Sequence, residues 1–176
     1  MIRPTFRQTL VAHALRTLRV IWGAMAVAVF VDVAIGVSVA LRLGRVFSSD
    51  IAATLTPALY AIAVAVAILA AWWRRLLGPE RCVLDAPAVE PPAGLNVAPE
   101  TDAERRAIAA LARFRSSSVI AWALCESVAV IGLVLSIGTG DPRYVTGLAA
   151  ASLVLLAYHV PSPRRVEAII AAVPAG

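Results

Sequence analysis

The sequence predicts an all-α membrane protein: four transmembrane helices arranged as two helical hairpins, with both termini cytoplasmic. Three observations carry this prediction. Val20–Leu41, Ile51–Trp73, Val119–Ile137 and Tyr144–Val160 are apolar stretches whose only acids are Asp32 and Glu126 and whose only basic group is His159. A bilayer core of ~30 Å takes about 20 apolar residues wound as a helix; three stretches reach that length and the fourth is slightly short. The chain of 176 residues is 60% hydrophobic, with a mean hydropathy of +0.82, well beyond an ordinary soluble domain. Finally, all 16 of its basic side chains other than histidine are arginines, and they are distributed unevenly about the spans.

Arginine placement sets the orientation. Thirteen arginines fall before the first span, in the central loop or after the last span, whereas only Arg42, Arg45 and Arg143 lie in the two short loops opposite. Cytoplasmic loops carry the positive excess, which puts both termini and the central loop inside. The net charge of +5 belongs to span flanks, where anionic lipid headgroups are the nearest partner. No basic face with interleaved aromatics occurs, so nucleic acid is set aside.

The first element, Thr5–Arg19, alternates Phe6, Leu10 and Leu18 with basic residues and precedes the span at about 20–41. That span is no cleavable signal peptide: it exceeds an apolar core of about 7–15 residues and it holds Asp32. Gly44, Ser48 and Ser49 turn the chain into the span at about 51–73, where Pro57 introduces a bend that neighbouring helices can satisfy. These elements make up region 1–78. Region 79–100 is a cytoplasmic linker: four prolines between Leu84 and Pro99 leave no room for helix or strand. Structure resumes at Thr101, because T-D-A-E fits a capping box in which the Thr101 hydroxyl caps and Glu104 reaches back.

An amphipathic helix follows through Arg115, with Ile108, Leu111 and Phe114 on its apolar side. It either skims the headgroups or extends into solvent, and Ser116–Ser118 either break it or pass it into the third span. The third span (about 119–137), a turn at Gly138, Gly140 and Pro142, and the fourth span (about 144–160) complete region 101–163. The tail, 164–176, holds an apolar segment too short to span, resting on the interface or free. Trp22, Trp72, Trp73 and Tyr144 lie near span ends, where amphipathic rings favour the headgroup level.

Each half reads as arginine-rich helix, acid-bearing span, short outer loop, second span and arginine pair, which suggests a parallel duplication. Asp32 lies 13 residues beyond Arg19 and Glu126 lies 11 beyond Arg115, which places the two acids at similar depth. A carboxylate at mid-bilayer costs about 3 kcal/mol on insertion scales, so each must face protein or water, or carry a proton. Two such acids at one depth invite a shared site.

Ala123–Ile137 reads A-L-C-E-S-V-A-V-I-G-L-V-L-S-I. It resembles the carboxylate helix of the rotary ATPase proteolipid, subunit c, where an acid precedes small and aliphatic residues and a G-L-V-like step, here Gly132-Leu133-Val134. The resemblance implies that Glu126 is an ion-carrying carboxylate, and the paired hairpins are similar to four-helix vacuolar-type proteolipids. The first span departs from that family: Gly23 and Gly36 are its only glycines, and Asp32 has no counterpart there.

The leading expectation is a small non-enzymatic multipass protein of the bacterial inner membrane, assembling with itself or a larger membrane complex, its acids serving as interhelical contacts. Candidate hydrogen-bond partners for those acids are backbone carbonyls, Ser38, Thr56, Ser127 and Ser136. The alternatives are a proton- or cation-translocating subunit using Glu126 with Asp32, and a small dimeric transporter. No catalytic constellation, metal spacing or cofactor motif is present in the sequence, and a bis-histidine haem is set aside because His13 precedes its span.

Overall fold

The computed structural model describes residues 2–76, Leu95 and 97–174, with the side chains of 74–76 excepted. Most of the linker expected at 79–100, with Cys82, lies outside the described residues. Five helices follow in order: α1 (Pro4–Leu43), α2 (Ser49–Leu76), α3 (Asp102–Thr139), α4 (Arg143–Tyr158) and α5 (Pro163–Ala171). The fold is all-helical, with no strand among the described residues. α1, α2 and α3 are long and apolar enough to cross a membrane, whereas α4 meets that requirement only when joined to α5 as a bent pair.

The helices overrun the predicted spans for local reasons. Thr5–Arg19 forms the first turns of α1 and is not a separate element. Ser116–Ser118 do not break α3: the Ser116 hydroxyl donates to the Ala112 carbonyl and that of Ser118 to the Phe114 carbonyl. Serines bonded to the turn behind them leave the helical ladder intact. Thr101 caps α3 as expected, its hydroxyl accepting the Glu104 amide at 3.2 Å. Between α4 and α5, Pro161 and Pro163 supply no amide hydrogens, and Pro163 occupies the first turn of α5, a position where that loss costs nothing.

Two compact units result, each drawing on both halves of the sequence. The terminal unit comprises Met1–Ile21, Arg74–Val119 and Val160–Gly176; the bundle unit comprises Trp22–Trp73 and Ile120–His159. In the terminal unit, Phe6, Leu10, Ile108, Leu111, Phe114, Val166 and Ile169 are buried. The face of α3 that could have rested on headgroups is therefore core. The tail is likewise buried along one side of α5 and is not free.

The bundle unit packs two antiparallel hairpins around Ala63, Val128, Leu135 and Leu148, flanked by Leu59, Val66, Ile131 and Leu155. Its outer surface is apolar: Val27, Phe30, Ile62, Val64, Ile68 and Val154 are all exposed. That pattern matches a solvent of lipid tails. α2 is the least covered, with only Ala63 and Ala70 buried among its described side chains. Small residues at such a seam let helices approach closely where no hydrophobic effect drives them together.

Candidate functional site

The bundle unit has two dissimilar ends. At the end carrying the two short inter-helix loops, the turn end, the Gly138 carbonyl accepts the Val46 amide at 3.0 Å and the Phe47 amide at 2.7 Å. The Phe47 ring lies against Gly138 so closely that a β-carbon there would fall within the ring. Gly44 and Gly140 adopt positive φ of 63° and 73°, which turns both loops sharply. A β-carbon on Gly140 would stand 2.7 Å from the Gly44 carbonyl carbon.

At the Trp22 end, the last turn of α4 is tied to the other three helical stretches. The Trp22 indole donates to the Leu156 carbonyl at 2.9 Å and the Trp122 indole to the His159 carbonyl at 3.2 Å. The Leu156 carbonyl also accepts the His159 amide at 3.0 Å, so the indole adds a second donor at the helix end, where carbonyls lack a full set of intrahelical partners. His159 is buried, its Nε2 lying 3.1 Å from the Ala70 carbonyl. A ring nitrogen facing a carbonyl carries the hydrogen, so Nε2 is the donor. Nothing in the local sequence distinguishes these tryptophans from headgroup-level ones; their partners lie 134 and 37 residues away.

Asp32 on α1 and Glu126 on α3 lie between these ends, both partly buried. They are close enough for the charge of Asp32 to be felt at Glu126. Asp32 Oδ2 is buried with no hydrogen-bond partner. Two of the serines expected as partners are engaged elsewhere: Ser127 donates to the Ala123 carbonyl and Ser136 to the Asp141 carbonyl. Beside Glu126, Cys125 is a buried free thiol whose carbonyl accepts the Ser152 hydroxyl at 2.7 Å.

The terminal unit holds a third buried acid, which sequence reading assigned only to a cap. Glu104 is completely buried. Its carboxylate accepts the Arg3 amide at 3.2 Å, Arg3 Nε at 2.9 Å, Arg3 Nη2 at 3.1 Å and the Glu100 amide at 2.8 Å. Arg3 also pairs with Glu100 and donates to the Ala98 carbonyl at 2.8 Å. The hydrogen bond from Arg3 holds the Glu104 carboxyl well below the usual carboxylate range, at about 2, against the opposing push of burial. Only the threonine half of the capping box forms, because the glutamate is spent on a partner 101 residues away.

Among the described residues, no group of three His, Cys, Asp or Glu side chains is placed to hold a metal ion. No protein-family model matches the chain, and no curated protein or solved structure matches it either.

Proposed function

We propose that this chain is a non-enzymatic multipass protein of a bacterial inner membrane, both termini cytoplasmic, whose Asp32–Glu126 pair holds a proton or a cation in its place. The observation that carries this reading is a buried Asp32 oxygen left unpartnered inside an apolar bundle, with Glu126 near enough to feel its charge. An ionised pair would place two like charges in low dielectric, a cost relieved by one shared proton or one bound cation. A group hydrogen-bonded on every side is fixed in place; one with an open acceptor can take and release a proton. The resemblance of Ala123–Ile137 to the proteolipid carboxylate helix supports the same role for Glu126. The arginine asymmetry supports the orientation.

A hydrophobic carbodiimide tests the assignment, since it reacts with a protonated carboxyl in an apolar site. The expected result is modification at Glu126 or Asp32 that slows several-fold as pH rises and, if a cation competes, on adding sodium. Absence of modification at both acids across the pH range would sink the reading.

A second reading, an assembly or accessory subunit with the acids as interhelical contacts, is favoured by the uncovered apolar faces of α2. A solution mass in detergent well above that of one chain, unchanged by Glu126→Gln, is its expected signature.

A further inference from the structure

We propose that Arg16, Arg19, Arg115 and Arg164 form a docking surface for anionic phospholipid headgroups, in which the other described arginines of the terminal unit that lie far from the bundle unit take no part. This surface is independent of the acid pair and requires only that the bundle unit be embedded in lipid. The chain passes between the two units at Ile21–Trp22, Trp73–Arg74, Val119–Ile120 and His159–Val160. Three of these crossings are flanked, on the terminal-unit side, by arginines whose side chains are described. Arg16 and Arg19 stand 6 and 3 residues before Trp22, and Arg113 and Arg115 stand 7 and 5 before Ile120. Arg164 and Arg165 follow His159 by 5 and 6 residues. No acid falls within these windows; the nearest, Glu167, is 8 residues after His159. The crossings on α1 and α3 lie inside unbroken helices. At 1.5 Å per residue, their arginines are therefore rooted within about 10 Å of the apolar unit along each helix, and the headgroup layer begins where hydrocarbon ends.

Charge and pairing set these arginines apart from the rest of the terminal unit. Away from the crossings, the described residues hold four arginines (Arg3, Arg7, Arg105, Arg106) and four acids (Glu100, Asp102, Glu104, Glu167), so the charge cancels. Three of those arginines are spent. Arg3 pairs with Glu100 and Glu104, Arg105 with the Asp102 carboxylate at 3.4 Å, and Arg106 donates to the Asp102 carbonyl at 3.4 Å. Beside the crossings, six arginines and no acid leave a surplus of +6. Of these, Arg16, Arg19, Arg115 and Arg164 are exposed, with no hydrogen bond or ion pair among the described residues. The anions at that depth are lipid phosphates, which a guanidinium fork matches bidentately, and basic clusters beside a span are drawn to acidic leaflets. Arg7 supplies a control within the same helix. It too is exposed and unpaired, yet it stands 15 residues before Trp22, about 22 Å along α1.

Short-chain phosphatidylglycerol and, separately, phosphatidylcholine are titrated into the full chain in neutral detergent, and bound lipid is counted by native mass. The wild type should hold phosphatidylglycerol about tenfold more tightly, a preference that about 1 M salt largely erases. Arg16→Gln, Arg19→Gln, Arg115→Gln and Arg164→Gln should each weaken phosphatidylglycerol about fivefold. Arg19→Lys should lose less than Arg19→Gln, and Arg7→Gln should lose nothing. Equal affinity for the two lipids overturns the inference, as does a loss in Arg7→Gln as large as that in Arg19→Gln. Displacement of the lipid by an equal concentration of inorganic phosphate or of polyglutamate also overturns it, in favour of a soluble anion or an acidic protein. A chain that stays dispersed without detergent overturns the membrane reading itself, and the docking surface with it.

Discussion

Glu104 in the terminal unit and Asp32 in the bundle unit are both acids with buried oxygens, and they are treated in opposite ways. Glu104 receives four hydrogen bonds, three of them from Arg3. Asp32 leaves one buried oxygen with no partner, and its charge is felt at a second carboxyl, that of Glu126. A saturated carboxylate is committed to its charge and acts as a structural tie; an unsatisfied one keeps its protonation open. Burial alone does not separate structural acids from exchangeable ones. The donors around them do.

The largest expected effect is removal of the donor set. Arg3→Ala strands the buried Glu104 carboxylate, and breaking a buried pair from one side costs far more than the pair contributes. Thermal unfolding in detergent should show a deeper loss for Arg3→Ala than for Glu104→Gln, which leaves no charge behind. If the two variants unfold alike, the contrast with Asp32 loses its footing.

Acid titration sharpens the same point. Folding depresses the Glu104 carboxyl from its ordinary 4.5 to about 2. The unfolded chain therefore takes up this proton first as pH falls. The stabilisation from Glu104 is full above about 4.5 and is lost progressively toward about 2. Unfolding temperature should drop across that window in the wild type and drop less in Glu104→Gln.

Smaller effects belong to the bundle unit. Gly138→Ala forces a methyl into the Phe47 ring, an overpacking cost of about 1–3 kcal/mol. The double substitution with Phe47→Ala should recover most of it, a coupling that a mutant cycle measures. Trp22→Phe removes one hydrogen bond to a helix-end carbonyl, about 1 kcal/mol. Smallest of all should be Glu126→Gln: unchanged or slightly raised unfolding temperature, with carbodiimide reaction lost at that position. A large destabilisation there would make Glu126 a second Glu104.

The positions of the apolar stretches were legible because hydropathy is a property of consecutive residues. Val20–Leu41, Ile51–Trp73 and Val119–Ile137 fall within α1, α2 and α3, and Tyr144–Val160 coincides with α4 to within two residues at its end. The glycine turns were legible for the same reason, since Gly44 and Gly140 do take positive φ. The depth of Asp32 and Glu126 could be counted from the arginines, but not which way each faces. That depends on the rotation of each helix, set by packing between α1, α3 and α4. Glu104 was misleading in isolation: T-D-A-E is a sound cap signal, yet the carboxylate answers to Arg3, which no window of local sequence contains. The tail is short, but length says nothing of burial, and Val166 and Ile169 are core.

Because the indoles of Trp22 and Trp122 are both anchored to the final turn of α4, the chain carries an intrinsic optical gauge. Undocking that helix end would free both chromophores together, and the near-ultraviolet circular dichroism and fluorescence of the protein would register it before any loss of helix content.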